Sequence, residues 1–482
     1  MGIRLVSKRN RSRLDRRALK VALNLLSDYR LILSVLLVSN SASALNLDIR
    51  HYSQTHPTHR ESLDSLHECS KTVPLSLANA RQRLAEGNRE LRQAKNNIAL
   101  ASADQASAAA RPNPQLSYNM ASINPNGGIG GGAWPDKRID QIVRLDQLIE
   151  RGNKRELRIA VSDANKQASE ADYANTLREQ RLALDIAYYD LKLAEQKLSI
   201  TRDNAQLFAD TLQKQQLRLQ AGDIAGADLA RIRVDALRAK SEQQQATLEL
   251  RQAQASLALL LGLENCSDAL QTIDPWPQLS DTSTASVLPD NPELDRLVNQ
   301  RSDVVAAQQR RQAAQQAYAL AQSLRSRDVS VNAQYERFQP NSPNTYGIGV
   351  SVPLFLGYDY RGEIRRAQAS LDQADYELQK TQQIAAAEIR QAQQRYQLTR
   401  NRWQEYQEQI LPAARKATQA TEFAWRNGAA SLLDWLDARR TLRAVELDAA
   451  QIDAQLARAR AVVQATLGLS ADSPPRTPTS AP

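Results

Sequence analysis

The chain has 482 residues with only 4 Phe and 2 Met, and its formal net charge is +9. So few bulky apolar side chains exclude an ordinary aromatic-rich core and indicate long helices that pack side by side through small and straight-chain residues. The positive charge does not predict a nucleic-acid-binding patch, because nine Lys and Arg residues against two Asp lie before residue 31 and the remainder is nearly balanced.

The chain begins with a segment that has the features of a secretory signal. Its basic leader is followed by an apolar run, Leu31–Val38, and by a small-residue sequence that ends at Ala44. Because the run is too short to cross a bilayer, we predict a cleavable signal peptide over residues 1–44 and an exported protein. A flexible, histidine-containing segment over residues 45–73 is expected to follow it.

The rest of the chain consists of two similar halves, residues 74–263 and 291–469. An offset of 206 positions aligns Gly222 with Gly428 and Asp228 with Asp434 without a gap, which is typical of a duplicated rigid unit. The elements predicted in chain order are a helix, a β-hairpin (113–149), a long helical hairpin (155–261), a linker (264–290), a second helix, a second β-hairpin (328–356), a second helical hairpin (361–467) and a disordered tail (470–482).

Both β-hairpins alternate apolar and polar residues, which is the period of a strand with two different faces. In the second hairpin Val331, Ala333 and Tyr335 alternate with polar residues, and so do Ile348 and Val350. A half-buried hairpin of a soluble protein shows this pattern, and so does a strand of a transmembrane barrel. The alternation by itself leaves both interpretations open.

The two helical hairpins are unusually long. Residues 155–220 contain neither Gly nor Pro, and residues 363–426 contain only Pro412. A helix of about 66 residues extends about 100 Å, which exceeds a single globular core. Such a length favours a coiled coil or a tube that spans a wide compartment.

Together these features resemble the TolC-like outer-membrane efflux family, and within it the outer-membrane components of heavy-metal (cobalt-zinc-cadmium type) cation efflux systems. The resemblance covers about residues 75–469 and rests on the sequences QLIERGNKR (147–155) and VSVPLFLG (350–357) and on the glycine turn that ends each long helix. It implies a mainly α fold with a small β part: a long α-helical barrel, and four β-strands per chain that contribute to a trimeric transmembrane β-barrel. It also implies a passive duct that works with a periplasmic adaptor (membrane fusion protein) and an inner-membrane pump.

The resemblance also assigns a gate, because the family closes its periplasmic end with carboxylates just beyond the second helical turn. On this sequence Asp434 and Asp437 lie six and nine residues after Gly428, and Asp228 repeats the first of these spacings. Carboxylates three residues apart share a helix face, and threefold symmetry would turn each into a ring that favours cations. The alternative is that both are surface caps near a helix start, stabilised by the helix dipole.

The two turns are not equivalent in the sequence. Arg231 stands where the second half has Asp437, so Arg231 or Arg439 is predicted to pair with a neighbouring aspartate and latch the closed state. The resemblance further implies that the turns contact the adaptor, and the candidate contact residues are Gly222, Gly428 and Ser431.

Two further groups of residues could bind metal or form a cross-link. All four histidines lie in the N-terminal segment, at His51, His56, His59 and His67. Imidazole is a good ligand for zinc and copper, but the spacing matches no fixed site, so a polar disordered lead-in is the alternative. The only cysteines are Cys69 and Cys266. Both would lie near the middle of the helical tube in the resembling fold, so a disulfide between them is predicted.

Nothing in the sequence indicates an enzyme, a cofactor or a nucleic-acid partner. No His follows residue 67, and neither a phosphate-binding glycine loop nor a serine-centred elbow occurs. The predicted function is the outer-membrane channel of a tripartite efflux system for small molecules, with metal cations as the favoured cargo. The alternatives are a channel for drugs or for type I protein secretion, and a soluble periplasmic coiled-coil scaffold or adaptor.

Overall fold

In the computed structural model, the described residues are 73–277, 291–338 and 342–468, except 124–125, 127, 129 and 132–136 of one loop. The predicted signal peptide, the histidine segment up to residue 72 and the tail from residue 469 lie outside these ranges.

Each half contains short helices, a β-hairpin and a long helical hairpin. The first half comprises β1 (Val73–Leu75), α1 (Leu77–Gly87), α2 (Arg89–Ala109), β2 (Gln115–Ala121), β3 (Asp140–Ile149), α3 (Lys154–Gln220), α4 (Gly226–Leu261), a 3-10 helix (Glu264–Ala269) and β4 (Leu270–Thr272). The second half comprises α5 (Asn291–Gln300), α6 (Ser302–Ser323), β5 (Val329–Phe338), β6 (Ser342–Ser351), α7 (Arg361–Glu405), a π-helical segment (Tyr406–Ile410), α8 (Leu411–Arg426) and α9 (Leu432–Thr466). The predicted mainly α fold with a small β part is confirmed.

The helix α3 packs against more of the other long helices than any other helix of the described residues. It has 67 residues, extends about 100 Å and packs against α2, α4, α6 and α9. Its contacts with these helices include small side chains such as Ala164 and Ala168, which are almost fully buried. Small residues let helix backbones approach closely, and this way of packing explains why the sequence contains few aromatic residues. No helix in the described residues is both long and apolar enough to cross a membrane.

The helix that precedes each β-hairpin is interrupted, although the sequence predicted it to be continuous. Asn88 separates α1 from α2, and its side chain accepts a hydrogen bond from the Leu91 amide at 3.0 Å. Arg301 separates α5 from α6, and its buried guanidinium lies 2.6 Å from Asp303 and 2.9 Å from Glu388. The side-chain cap at Asn88 and the ion triad around the buried Arg301 compensate for the interruption of each helix. Periodicity alone does not reveal these interruptions.

Part of the predicted linker is ordered. The strand β4 lies within the predicted linker, residues 264–290, and pairs in parallel with β1. At the position of β1 the sequence predicted the start of a helix. Two carboxylates stabilise this pair. Glu195 of α3 accepts a hydrogen bond from the Thr272 amide at 2.9 Å, and Asp274, just after β4, accepts one from the Leu77 amide at 2.6 Å. The two strands have three residues each, so their signal in the sequence is too short to detect.

The two β-hairpins form one antiparallel sheet with the strand order β2-β3-β5-β6. Its register places apolar residues of all four strands side by side. One row contains Leu116, Leu145, Ala333 and Ile348, and the next contains Tyr118, Val143, Tyr335 and Tyr346. This apolar face is open to the surroundings: Ile348 is 86% exposed and Tyr346 is 83% exposed.

The opposite face of the sheet is polar and tightly packed. The side chains of Asn332 and Gln334 lie against the backbone of Gly349 and Gly347, where a Cβ atom would come within 3 Å of them. Asn332 is consequently buried. The sheet therefore exposes its apolar side and covers part of its polar side, which is the reverse of a soluble half-buried hairpin.

Candidate gate at the helical turns

The two long helices end in turns of the same geometry, and in each turn a glycine is required by the backbone. Gly222 has φ +84° and Gly428 has φ +75°. The following amide donates back to the helix in both cases, from Asp223 to the Arg218 carbonyl and from Ala429 to the Ala424 carbonyl. This is the Schellman pattern, and it places glycine in the left-handed region. The space around both glycines is open, so conformation and not packing makes them necessary.

The two turns belong to one packed end of the molecule, which we call the tip. Phe208 of α3 and Ile232 of α4 are buried together with Trp435 and Leu436 of α9. The ring of Trp435 stacks on Trp425 of α8, with centroids 4.6 Å apart. The two halves are therefore joined at the tip by an apolar cluster.

Asp434 forms a capping box at the start of α9. Its carboxylate accepts hydrogen bonds from the Ser431 hydroxyl at 2.7 Å and from the Ser431 amide at 3.0 Å, while its own amide donates to the Ser431 hydroxyl at 3.1 Å. These hydrogen bonds from the Ser431 hydroxyl and backbone lower the pKa of the exposed Asp434 carboxyl. In the single chain Asp434 is therefore a helix cap, which is the alternative to the gate that the sequence left open.

Asp228 occupies the corresponding position in α4 but lacks a cap. The residue that corresponds to Ser431 is Ala225, which has the same extended conformation and no side-chain hydrogen bond to offer. The two turns therefore share a backbone but differ in how the following helix begins. The sequence contains this difference, since position 225 is Ala and position 431 is Ser.

The predicted latch residues, Arg231 and Arg439, form no ion pair with an aspartate in the part of the chain that the structure describes. Arg439 lies over the ring of Trp435, 5.8 Å from its centroid, and its guanidinium is 3.9 Å from Glu422. Arg231 is exposed and forms no ion pair with a described residue. This contact places Arg439 beside the Trp435 ring, which is buried in the tip.

Near the candidate gate, Arg440 of α9 joins the two halves, and the sequence did not single it out. It forms an ion pair with Asp235 of α4 and lies 3.6 Å from Asp437, one helical turn away. The Asp437 side chain itself is 77% exposed. The three-residue spacing between Asp437 and Arg440 was the available signal, because residues three apart meet on a helix.

Two of the candidate gate carboxylates, Asp434 and Asp437, face one open groove of about 670 Å³ between α4 and α9. Its charged lining residues are Arg231, Asp235, Arg238, Asp434, Asp437 and Arg440. Three acidic and three basic groups make the groove of one chain balanced in charge. Asp228 does not line it.

The remaining candidate residues lie away from the tip. All four histidines and Cys69 are outside the described residues, while Cys266 is disulfide-bonded. The pairing of Cys266 with Cys69 stays a prediction. Among the described residues, no group of three or more His, Cys, Asp or Glu side chains has a geometry that could hold a metal ion.

Comparison with known proteins gives one family and a consistent fold. The family model described as outer membrane efflux protein matches residues 80–263 and 294–469. The cobalt-zinc-cadmium resistance protein CzcC of Cupriavidus metallidurans is 26% identical over 298 residues, which are 61% of this chain and 69% of that protein.

Solved outer-membrane channels share the fold. The CmeC channel of Campylobacter jejuni superposes with a TM-score of 0.71 at 16% identity, covering 81% of this chain and 85% of its own. The outer-membrane channel OprN gives 0.67 at 22% identity, over 81% and 89%, and CusC gives 0.65 at 18% identity, over 82% and 92%.

Proposed function

The chain belongs to the outer membrane efflux protein family, and on this premise we propose that three copies form the outer-membrane channel of a tripartite system that exports metal cations. Family membership makes the chain an efflux component of the outer membrane with a helical extension into the periplasm. The scaffold and adaptor alternatives do not fit this membership. The absence of catalytic activity stays a prediction.

The observation that carries the channel assignment is the exposed apolar face of the four-stranded sheet. Its rows of apolar side chains cross all four strands, as a lipid-facing surface requires. The sheet is open, so β2 and β6 each leave an edge of unpaired backbone groups. Three copies joined edge to edge would pair these edges and enclose a polar lumen, which supports a homotrimer.

The tip is suited to bind a periplasmic adaptor at both turns. Leu217 and Phe423 occupy equivalent positions of α3 and α8 by the 206-residue offset, and they are 61% and 71% exposed. Apolar side chains exposed at both turns favour a protein contact. We propose that these residues and the turns at Gly222, Gly428 and Ser431 contact the adaptor, which links the channel to an inner-membrane pump.

The groove at the tip supports a gate that acts on cations. In three copies Asp437 and Asp434 would each form a ring, and Asp437 is the more exposed of the two because Asp434 is held by Ser431. Rings of carboxylates favour cations over anions in a pore. Asp228, which has no cap, would add a third ring on the side of the first turn.

Metal cations are the proposed cargo because the relative CzcC is named for resistance to cobalt, zinc and cadmium. The histidines at positions 51, 56, 59 and 67 would add imidazole ligands near the mature N-terminus. Their metal binding stays a prediction.

Metal tolerance of cells tests this cargo. Deleting the gene should lower the concentrations of cobalt, zinc or cadmium that the cells tolerate, and expression of the intact protein should restore them. The matched variant with Asp434→Asn and Asp437→Asn should reach the outer membrane in the same amount as the intact protein. A lower metal tolerance of cells with this variant would then reflect a loss of export and not a loss of assembly. Unchanged tolerance of all three metals in the deletion strain, with an altered tolerance of drugs, would contradict the metal assignment.

A further inference from the structure

The second long helix contains a feature that its counterpart in the first half lacks. Between α7 and α8, the segment Tyr406–Ile410 is π-helical, and the Leu411 amide donates to the Tyr406 carbonyl five residues earlier. Pro412 explains this local geometry, because it has no amide hydrogen and its ring displaces the carbonyl of Glu408. In the first half α3 is a continuous α-helix through the corresponding residues 200–204.

One half-buried carboxylate of α9, that of Asp453, contacts this segment and the end of the helix that precedes it. Oδ1 of Asp453 accepts a hydrogen bond from the indole of Trp403 at 2.7 Å and another from the side-chain amide of Gln407 at 3.1 Å. Trp403 belongs to α7 and Gln407 to the π-helical segment. Burial raises the pKa of Asp453, and the two hydrogen bonds oppose this effect. The carboxylate forms no ion pair with a described residue.

The π-helical segment borders a groove that leaves it room to move. This groove of about 640 Å³ lies between α3, α8 and α9. Asn204 of α3 lines it, is 9% exposed, and its amide has no hydrogen-bond partner among the described residues. The titratable groups that face the groove together with Asp453 are Asp203, Asp210, Arg415, Arg439, Arg443 and Glu446.

We propose that Asp453 and the π-helical segment Tyr406–Ile410 form a proton-responsive hinge that positions α8 and the turn at Gly428 relative to α7. Asp453 is a positioning residue, because it acts through Trp403 and Gln407 and lies away from the tip. The consequence for gating rests on the proposed channel function, since α8 leads directly to the turn that precedes Asp434. π-Helical segments inside long helices are known to accompany functional sites.

The direction of the response follows from the burial of the carboxyl. The described conformation binds the Asp453 proton more tightly than a conformation in which this group meets water. Acid therefore favours the described conformation, and ionisation as the pH rises through the raised pKa favours a movement that exposes Asp453. A neutral side chain of the same shape should hold the described conformation at every pH.

Spin labels on either side of the hinge test this response. Leu398 of α7 and Phe423 of α8 are both more than two thirds exposed, and labels at Leu398→Cys and Phe423→Cys would be separated by about 37 Å along a straight helix. Distances are measured by pulsed electron paramagnetic resonance between about pH 4 and about pH 8, in labelled protein diluted with unlabelled protein. The double-Cys protein should show two distance populations whose ratio changes with pH.

The variants decide whether Asp453 causes the change. Asp453→Asn should keep the acid population at every pH, and Asp453→Glu should restore a pH response. The control Asp448→Asn alters an exposed carboxylate of the same helix and should behave like the unsubstituted pair. A pH response that survives in Asp453→Asn, or no response in the unsubstituted pair, would overturn the hinge. Channel conductance is not used in this measurement, so failure of the hinge and failure of the channel function are separate results.

Discussion

Arg440 of α9 forms an ion pair with Asp235 of α4 and so connects the two halves close to the tip. The same guanidinium lies 3.6 Å from Asp437, a candidate gate residue. The position of that gate residue is therefore coupled to the first half through Arg440. A movement of α9 away from α4 would separate this ion pair.

A double-mutant cycle measures the coupling between these two residues. Arg440→Gln and Asp235→Asn should each raise the open probability of the channel in a planar bilayer, and the coupling energy between them should be about 0.5 to 1 kcal/mol. Arg231→Gln is the matched control, because Arg231 is exposed and unpaired among the described residues. Strictly additive effects of the two substitutions would contradict the coupling.

The capping box of the second turn can be removed and transferred. Ser431→Ala should weaken protection of the first amides of α9 in hydrogen exchange, whereas Ala225→Ser should stabilise the start of α4 by about 1 kcal/mol through a new cap. Because the pKa of Asp434 is lowered by Ser431, its contribution is present at neutral pH and disappears as the pH falls through that lowered pKa. Equal protection of α9 with and without the Ser431 hydroxyl would show that the cap has no effect.

The two turn glycines should tolerate no side chain, for a conformational reason. Gly222→Ala and Gly428→Ala should each lower the free energy of unfolding by about 1 kcal/mol per chain, since both residues have positive φ. Gly226→Ala is the control, because this glycine is helical and a Cβ there meets nothing within 4 Å. It should be neutral or stabilising. Thermal unfolding in detergent distinguishes these outcomes, and equal effects at all three positions would contradict the assignment.

The exposed face of the sheet should contact lipid. Ile348→Lys introduces a charge into the apolar row and should cost about 2 kcal/mol of stability in the membrane, with less trimer recovered from the outer membrane. Thr345→Lys, on the opposite face of the same strand, should have a much smaller effect. If Thr345→Lys were the more harmful substitution, the lipid-facing side of the sheet would be assigned incorrectly.

The sequence predicts those parts of the fold whose signals are local. The helix α3 starts one residue before the predicted position and ends where it was predicted to end. Both boundaries are visible in the sequence, because a long stretch without Gly or Pro ends at a glycine turn. The strands of the sheet follow from alternation in the same way. The pairing of β1 with β4 joins segments 197 residues apart and is supported by Glu195 of α3 and by Asp274, whose carboxylate reaches the Leu77 amide, so periodicity could not reveal it.

The candidate site shows the same division between local and distant contacts. Asp434 and Asp437, chosen by their spacing after Gly428, line the same groove, and their role as a gate stays a prediction. In the single chain the arginine beside Asp437 is Arg440, whereas the guanidinium of Arg439 lies over the Trp435 ring. The latch at Arg231 or Arg439 stays a prediction. Pro412 was visible in the sequence, whereas the π-helical segment beside it required the structure.

Single-channel recording of the purified protein tests the central claim most directly. The protein should insert into a planar bilayer as a trimer and conduct cations in preference to anions. Asp434→Asn together with Asp437→Asn should reduce that preference and leave the trimer intact. A protein that stays in solution without detergent and yields no conductance, or a channel whose ion preference is unchanged by both substitutions, would contradict a cation channel gated at these turns.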